Sequence, residues 1–194
     1  NDRVESGPRA NIGFKAAAYG ITGGYSSITI GQVFRVRDDD TFAPRTGLDD
    51  HRSDYVMALT IAPSRFLDLN QRLRLDRNKF SLRRNEIYFS IGPEYLKFNS
   101  SYISLERDQT VDELDAREEL YNSLHWKIDQ RWVATAESRR DLSGEGSQIR
   151  TKAGIQYSDE CIGFGLTMQR NFTRDRDVEP STSINFRILL QYLG

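Results

Sequence analysis

The chain has 194 residues, with 27 Lys and Arg against 28 Asp and Glu, a formal net charge of −1 and a single cysteine. So even a balance excludes an overall field that would draw nucleic acid or an acidic surface. One thiol excludes a disulfide within the chain, and no apolar run approaches the roughly 20 residues of a membrane-spanning helix. A charged fraction of 28% does not exclude a membrane β-barrel, in which only alternate strand residues need be apolar.

Taken in chain order, alternating apolar and polar residues predict about eleven strands and no long helix. They fall at residues 9–19, 25–37, 55–62, 69–76, 85–91, 95–105, 119–128, 132–140, 149–157, 161–172 and 183–193. The acidic stretch 110–120 has some helical character and reads as a loop tip running into a strand. No repeat of 20–50 residues is present beyond the hairpin rhythm. The last two strands are the clearest. Ile162, Phe164, Leu166 and Met168 share one face of the first, and Ile184, Phe186, Ile188, Leu190 and Tyr192 share one face of the second.

The predicted connections alternate in character. Residues 20–24, 63–66, 92–94, 129–131 and 158–160 are short and carry the Gly, Pro, Ser and Asp of tight turns. Residues 38–54, 77–84, 106–118, 141–148 and 173–180 are longer and highly charged. In an antiparallel meander this places every short turn at one end and every long loop at the other. That is the asymmetry of transmembrane barrels, for which a soluble sandwich has no cause.

The faces point the same way. Ile12, Phe14, Ile28, Met57, Leu59, Leu73, Trp126 and Phe186 are among the residues of an apolar face, with Gln71 and Asn122 as exceptions. Lys15, Asn70, Arg72, Arg74, Glu119, Glu137, Arg139, Lys152, Gln169 and Arg187 belong to the opposite, polar face. That face is too charged for a dry core, because buried charges must be paired. It fits the lining of a wide aqueous lumen. Tyr95, Trp126, Trp132, Tyr157 and Tyr192 lie near the short turns, where an aromatic girdle is expected. Eleven is odd, whereas bacterial single-chain barrels have even strand numbers, and an open sheet edge is not tolerated in lipid. Either one strand goes unrecognised in the sequence or further wall strands lie upstream, and placing Gly194 on the short-turn side favours the second, so the expectation is that residues 1–194 are the C-terminal part of a larger antiparallel transmembrane β-barrel.

Four stretches carry a family resemblance. They are SITIGQVFRVRDDDTFAPRTGLDDHRSDYV (27–56), RLRLDRNKFSLRRNEIYFSIGPEYLKFNSSY (72–102), RRDLSGEGSQIRTKAGIQYSDECIGFGL (139–166) and RNFTRDRDVEPSTSINFRILLQYLG (170–194). In this order they resemble the C-terminal half of the LptD/OstA lipopolysaccharide-assembly barrel in its alphaproteobacterial form. The resemblance implies an outer-membrane barrel of Gram-negative cells that passes lipopolysaccharide to the outer leaflet. It implies four partners: lipopolysaccharide, an LptE-like plug lipoprotein, an LptA-like periplasmic bridge protein and the outer-membrane lipids, with no nucleic acid. A periplasmic jellyroll upstream of the barrel is implied as well. Ser183, Ile184, Asn185, Phe186, Arg187, Ile188, Leu189 and Leu190 then form the last strand, one side of a lateral gate. Cys161 stands where the family often carries a cysteine pair bonded to the N-terminal region, so a disulfide to a segment outside these residues is implied, with a free thiol as the alternative.

Chemistry has little support. His51 and His125 lie far apart, and Ser123-x-His125 is a spacing common by chance. One Cys and two distant His make no metal-ligand set. The carboxylates Asp38, Asp39, Asp40, Asp49 and Asp50 read as a solvated outer loop rather than a cation site. No phosphate-binding GxxxxGK[ST] is present, and no catalytic residue, metal or cofactor is expected. Arg72, Arg74, Arg83, Arg84, Arg139, Arg140 and Arg187 read as luminal, facing either lipopolysaccharide phosphates or an acidic plug. The competing reading pairs them across strands with Asp76, Glu86, Glu119 and Glu137. A porin or substrate-specific channel is the first alternative function, and a soluble β-sandwich or lipocalin-like binding module the second.

Overall fold

A computed structural model describes residues 8–21, 23–36, 51–106, 116–144, 146–172 and 179–190. The chain forms β1 (Arg9–Tyr19), β2 (Tyr25–Arg35), β3 (Tyr55–Ser64), β4 (Leu67–Leu75), β5 (Leu82–Ile91), β6 (Leu96–Leu105), β7 (Arg117–Lys127), β8 (Trp132–Asp141), β9 (Ser147–Ser158), β10 (Ile162–Asn171) and β11 (Ser181–Leu190). The described residues contain no helix. The strand order of the sheet follows the chain from β1 to β11, which makes these two its outermost members. Each predicted strand is present. The candidate strand ends at 191–193, with Tyr192, the acidic loop residues 38–40 and 49–50, and most of the stretch 110–120 lie outside the described residues.

The meander follows from local chemistry. Short, polar turns can join only antiparallel neighbours. Asp129 Oδ1 accepts the N–H groups of Arg131 and Trp132 at 2.7 and 2.8 Å, and Asp159 Oδ1 does the same for Cys161 and Ile162 at 2.9 and 2.8 Å. A carboxylate that satisfies two backbone donors in this way closes a turn without help from elsewhere. At Gly92, φ is 116° and a Cβ would lie 2.1 Å from the Leu96 carbonyl oxygen, so only glycine fits.

The chain divides into two compact units, Asn1–Tyr88 with Ile103–Arg117, and Phe89–Tyr102 with Glu118–Gly194. In the first, the register sets Phe14 opposite Ile30, Ile28 opposite Leu59, and Met57 opposite Leu73 on one face. Lys15 opposite Thr29, Thr60 opposite Asn70, and Ala58 opposite Arg72 lie on the other. In the second unit, Trp132, Tyr157, Phe164 and Ile188 make one row of the apolar face, and Ala134, Ile155, Leu166 and Phe186 the next. Gln71 is on the apolar face as expected, and its amide donates to Asn85 Oδ1 at 3.2 Å. Val56 breaks the other pattern: it sits on the polar face opposite Gly31 and Arg74.

Two of the charged connections are tighter than the sequence suggests. Only residues 76–81 join β4 to β5, and only 142–146 join β8 to β9. Leu82–Arg84, Asp141, Ser147 and Gln148 are strand residues. Charge at such positions marks the polar face of a strand as well as it marks a loop, which is why composition alone misplaced these ends.

No hydrophobic side chain is buried among the described residues; the buried side chains are Ser53, Asp54, Asp76 and Ser90. Phe14 is 63% exposed and Phe186 also 63%. A soluble sheet buries its apolar face against another layer, so this arrangement is inverted.

Candidate functional site: the polar face and the terminal hairpin

On the polar face of the first unit, Arg72 and Arg74 point the same way from alternate positions of β4. With Arg84 and Glu86 they line a cavity of about 430 Å³ that is floored by Ala58 and Val56. Arg84 is held by Glu86, its Nε lying 2.9 Å from Oε1. Arg72 is exposed and has no hydrogen bond or ion pair among the described residues. Arg74 reaches down instead, its Nε 3.5 Å from Asp54 Oδ2.

That contact belongs to a cluster which sequence reasoning missed. Asp54 is 1% exposed. Its Oδ1 accepts the Arg77 N–H at 3.3 Å, and its Oδ2 lies 3.7 Å from Arg83 Nε. Arg83 also holds Asp76. Asp76 Oδ1 accepts the N–H groups of Asn78 and Lys79 at 2.8 and 2.7 Å. These two backbone bonds, joined by the Arg83 guanidinium, lower the Asp76 pKa to about 2. Phe80 closes the same turn at a φ of 56° with its ring stacked on Tyr55, centroids 5.3 Å apart. The cluster therefore pins the start of β3 to the β4–β5 turn. Part of it was legible: Asp76 followed by Asn78 and Lys79 is an Asx-turn pattern. Its link to Asp54, 22 residues earlier, had no local signal.

On the polar face of the second unit, Arg139 donates from Nε and Nη2 to Glu119 Oε2 at 2.8 and 2.6 Å. Lys152 Nζ lies 3.2 Å from Glu137 Oε1. Gln169 stands opposite Lys152 and Ser183 and donates to Asn171 at 3.1 Å. Arg187 faces Gly165 across the β10–β11 pair, exposed and without a hydrogen bond or ion pair among the described residues. The cross-strand reading thus holds for Arg139 with Glu119, and Lys152 is paired in the same way with Glu137; Arg84 is held instead by Glu86 of its own strand, and Arg83 by Asp76 of the adjoining turn. Arg140 does not belong with them. It lies opposite Leu120 on the apolar face, because adjacent strand residues point to opposite sides.

The terminal hairpin is different. β11 pairs with β10 from Ser181 to Leu190, and every one of its residues is exposed. Ile184, Phe186, Ile188 and Leu190 lie on the apolar face. Ser183, Asn185, Arg187 and Leu189 lie on the other. The β9–β10 turn carries Cys161, exposed and unbonded within the chain. Beside it, Asp159 accepts the two turn N–H groups and the Tyr157 hydroxyl, the last at 2.8 Å. These donors hold its pKa below the ordinary carboxylate value, the backbone bonds from Ile162 and Cys161 first. The described residues contain no group of His, Cys, Asp and Glu able to hold a metal ion.

Residues 1–132 match the family model LptD, described as LPS transport system D. That span holds β1 to β7 and the first two of the four resembling stretches. No curated protein matches the chain.

Proposed function

Because the chain belongs to the LptD family, LPS transport system D, we propose that it forms part of the wall of an outer-membrane barrel that passes lipopolysaccharide to the outer leaflet. The family is one of lipopolysaccharide transport in the outer membrane rather than of enzymes. The observation that carries the reading is the inverted sheet: exposed apolar side chains on one face, charges on the other, and no buried hydrophobic side chain among the described residues. Such a sheet is stable where lipid covers the apolar face and water or a polar partner covers the opposite one.

In this reading β11 is one side of a lateral gate. Its outer edge awaits the first strand of the barrel, and opening that seam lets the acyl chains leave sideways while the sugar moiety stays on the polar face. Arg72 and Arg187, exposed and without an ion pair among the described residues, are guanidiniums that can meet phosphates or an LptE-like plug. The paired Arg139 and Lys152 hold neighbouring strands in register. An LptA-like bridge supplies lipid from the periplasmic side, and work done upstream drives the flow. Cys161 is the tether to the N-terminal region.

Photo-crosslinking in living cells tests this. A crosslinking residue at Arg187 or Asn185 of the full-length protein should capture lipopolysaccharide or the plug. Capture of neither, in a protein that still reaches the outer membrane, overturns the gate assignment. Steady open pores from the purified chain in planar bilayers without a plug would favour the channel alternative. Non-reducing electrophoresis of full-length protein should show a mobility change on reduction that is lost in Cys161→Ser. An unchanged mobility removes the tether.

A further inference from the structure

The apolar face of β8–β11 ends abruptly. Register partners run across all four strands as rows: Trp132, Tyr157, Phe164 and Ile188; then Ala134, Ile155, Leu166 and Phe186; then Ala136, Ala153, Met168 and Ile184. The next row is Ser138, Thr151, Arg170 and Thr182. Arg140 follows one pleat further along β8, at the end nearest the long loops. The first row is aromatic, with ring centroids 5.0 to 5.4 Å apart, as befits a bilayer interface. Six residues separate it from the hydroxyl row, about 20 Å along a strand and less along the membrane normal once strands tilt. The usual apolar band of such barrels is about 25 Å tall. Arg170 therefore leaves the strand within the depth that lipid normally covers.

Neither guanidinium has an acidic partner among the described residues. The apolar face of β8–β11 contains no carboxylate. The nearest on that face, Glu118, takes the Tyr102 hydroxyl at 2.5 Å. Arg170 is instead supported by the Phe172 ring, 4.8 Å from its Cζ. On the polar face of the same strands, Arg139 and Lys152 are matched to Glu119 and Glu137. Unmatched outward charge at the edge of an apolar band calls for an anion supplied by the surroundings.

From this geometry we infer that Arg140 and Arg170, with the hydroxyls of Ser138, Thr151 and Thr182, form a docking row for the phosphate of a lipid headgroup on the outside of the wall beside the last strand. The guanidiniums supply charge and paired donors, which suit phosphate oxygens. The hydroxyls add neutral donors, and the shortened band below draws the headgroup down towards them. The inference rests on the lipid-facing reading of this face.

The test uses the full-length protein reconstituted in phosphatidylcholine bilayers doped with a phosphorylated glycolipid or with its phosphate-free counterpart. A photo-crosslinking residue replaces Thr182 or, in a second protein, Leu166. The Thr182 position should capture the phosphorylated glycolipid about tenfold more than the phosphate-free one, as two charge-assisted hydrogen bonds imply. The Arg140→Gln/Arg170→Gln pair should abolish that preference, while Arg140→Lys/Arg170→Lys keeps most of it. Equal capture of the two glycolipids at Thr182, or a preference unchanged by the Gln pair, overturns the docking row. Lipid capture at Leu166 is expected throughout; its absence overturns the lipid-facing reading itself, and the docking row with it.

Discussion

The cluster around Asp54 and the hairpin of β10 and β11 are opposites in how they meet their needs. At Asp54 and Asp76 the carboxylates are buried and their partners are built in: Arg74, Arg83 and the backbone of residues 77–79. In the hairpin the side chains of β11 are all exposed and one edge has no partner among the described residues. The first region neutralises its carboxylates from within the chain, so its sequence encodes stability. In the reading proposed above, the second is complete only with lipid on its face and a strand at its edge, so its sequence encodes an interface. Function in a barrel wall belongs where the chain leaves groups for others to satisfy.

The sharpest way to break this contrast is Asp54→Ala. It takes the carboxylate from Arg74 and leaves Arg83 with Asp76 alone, and loss of one partner of a buried pair costs about 3–5 kcal/mol. Urea unfolding of the reconstituted protein should show that loss, and an unchanged midpoint would mean the cluster holds nothing. Next in size is Phe186→Arg, which should destabilise the protein in vesicles by about 2–4 kcal/mol if the residue faces mid-bilayer. Asn185→Arg, on the other face, should stay within about 0.5 kcal/mol. Equal effects would erase the distinction between faces. Glu119→Gln removes the partner of a half-exposed Arg139 and should cost no more than about 1 kcal/mol, read from the same unfolding curves.

The mildest test is acid. The folded-state pKa of Asp76 lies below its ordinary value of 3.8, at about 2, so the ionised form favours the fold. Its contribution is full above about pH 4 and drains as the pH falls through 2. Unfolding midpoints of the parent should drop across that window more than those of Asp76→Asn. Parallel curves would place the acid response elsewhere.

The strands of the hairpin were plain in the sequence because alternation is local: each residue's face follows from its neighbours. The same rule should have separated Arg139 from Arg140, and grouping them by charge obscured it. The ends of β5 and β8 were misjudged for a related reason, since charges on a polar strand face look like loop. Asp54 was read as the tail of a charged loop because its partners come from β4, the following turn and β5. None of them is near it in sequence.

Composition and period thus determined by themselves that this chain is a meander of strands with one apolar and one charged face, and that its connections differ at the two ends. Those properties repeat every two residues and need no distant partner. Only the tertiary structure decided which charges neutralise one another, which have no acidic partner among the described residues (Arg72, Arg140, Arg170 and Arg187), and that the buried side chains among those residues are polar. Such matters depend on register, and register is set by pairing across strands that the chain's local pattern does not specify.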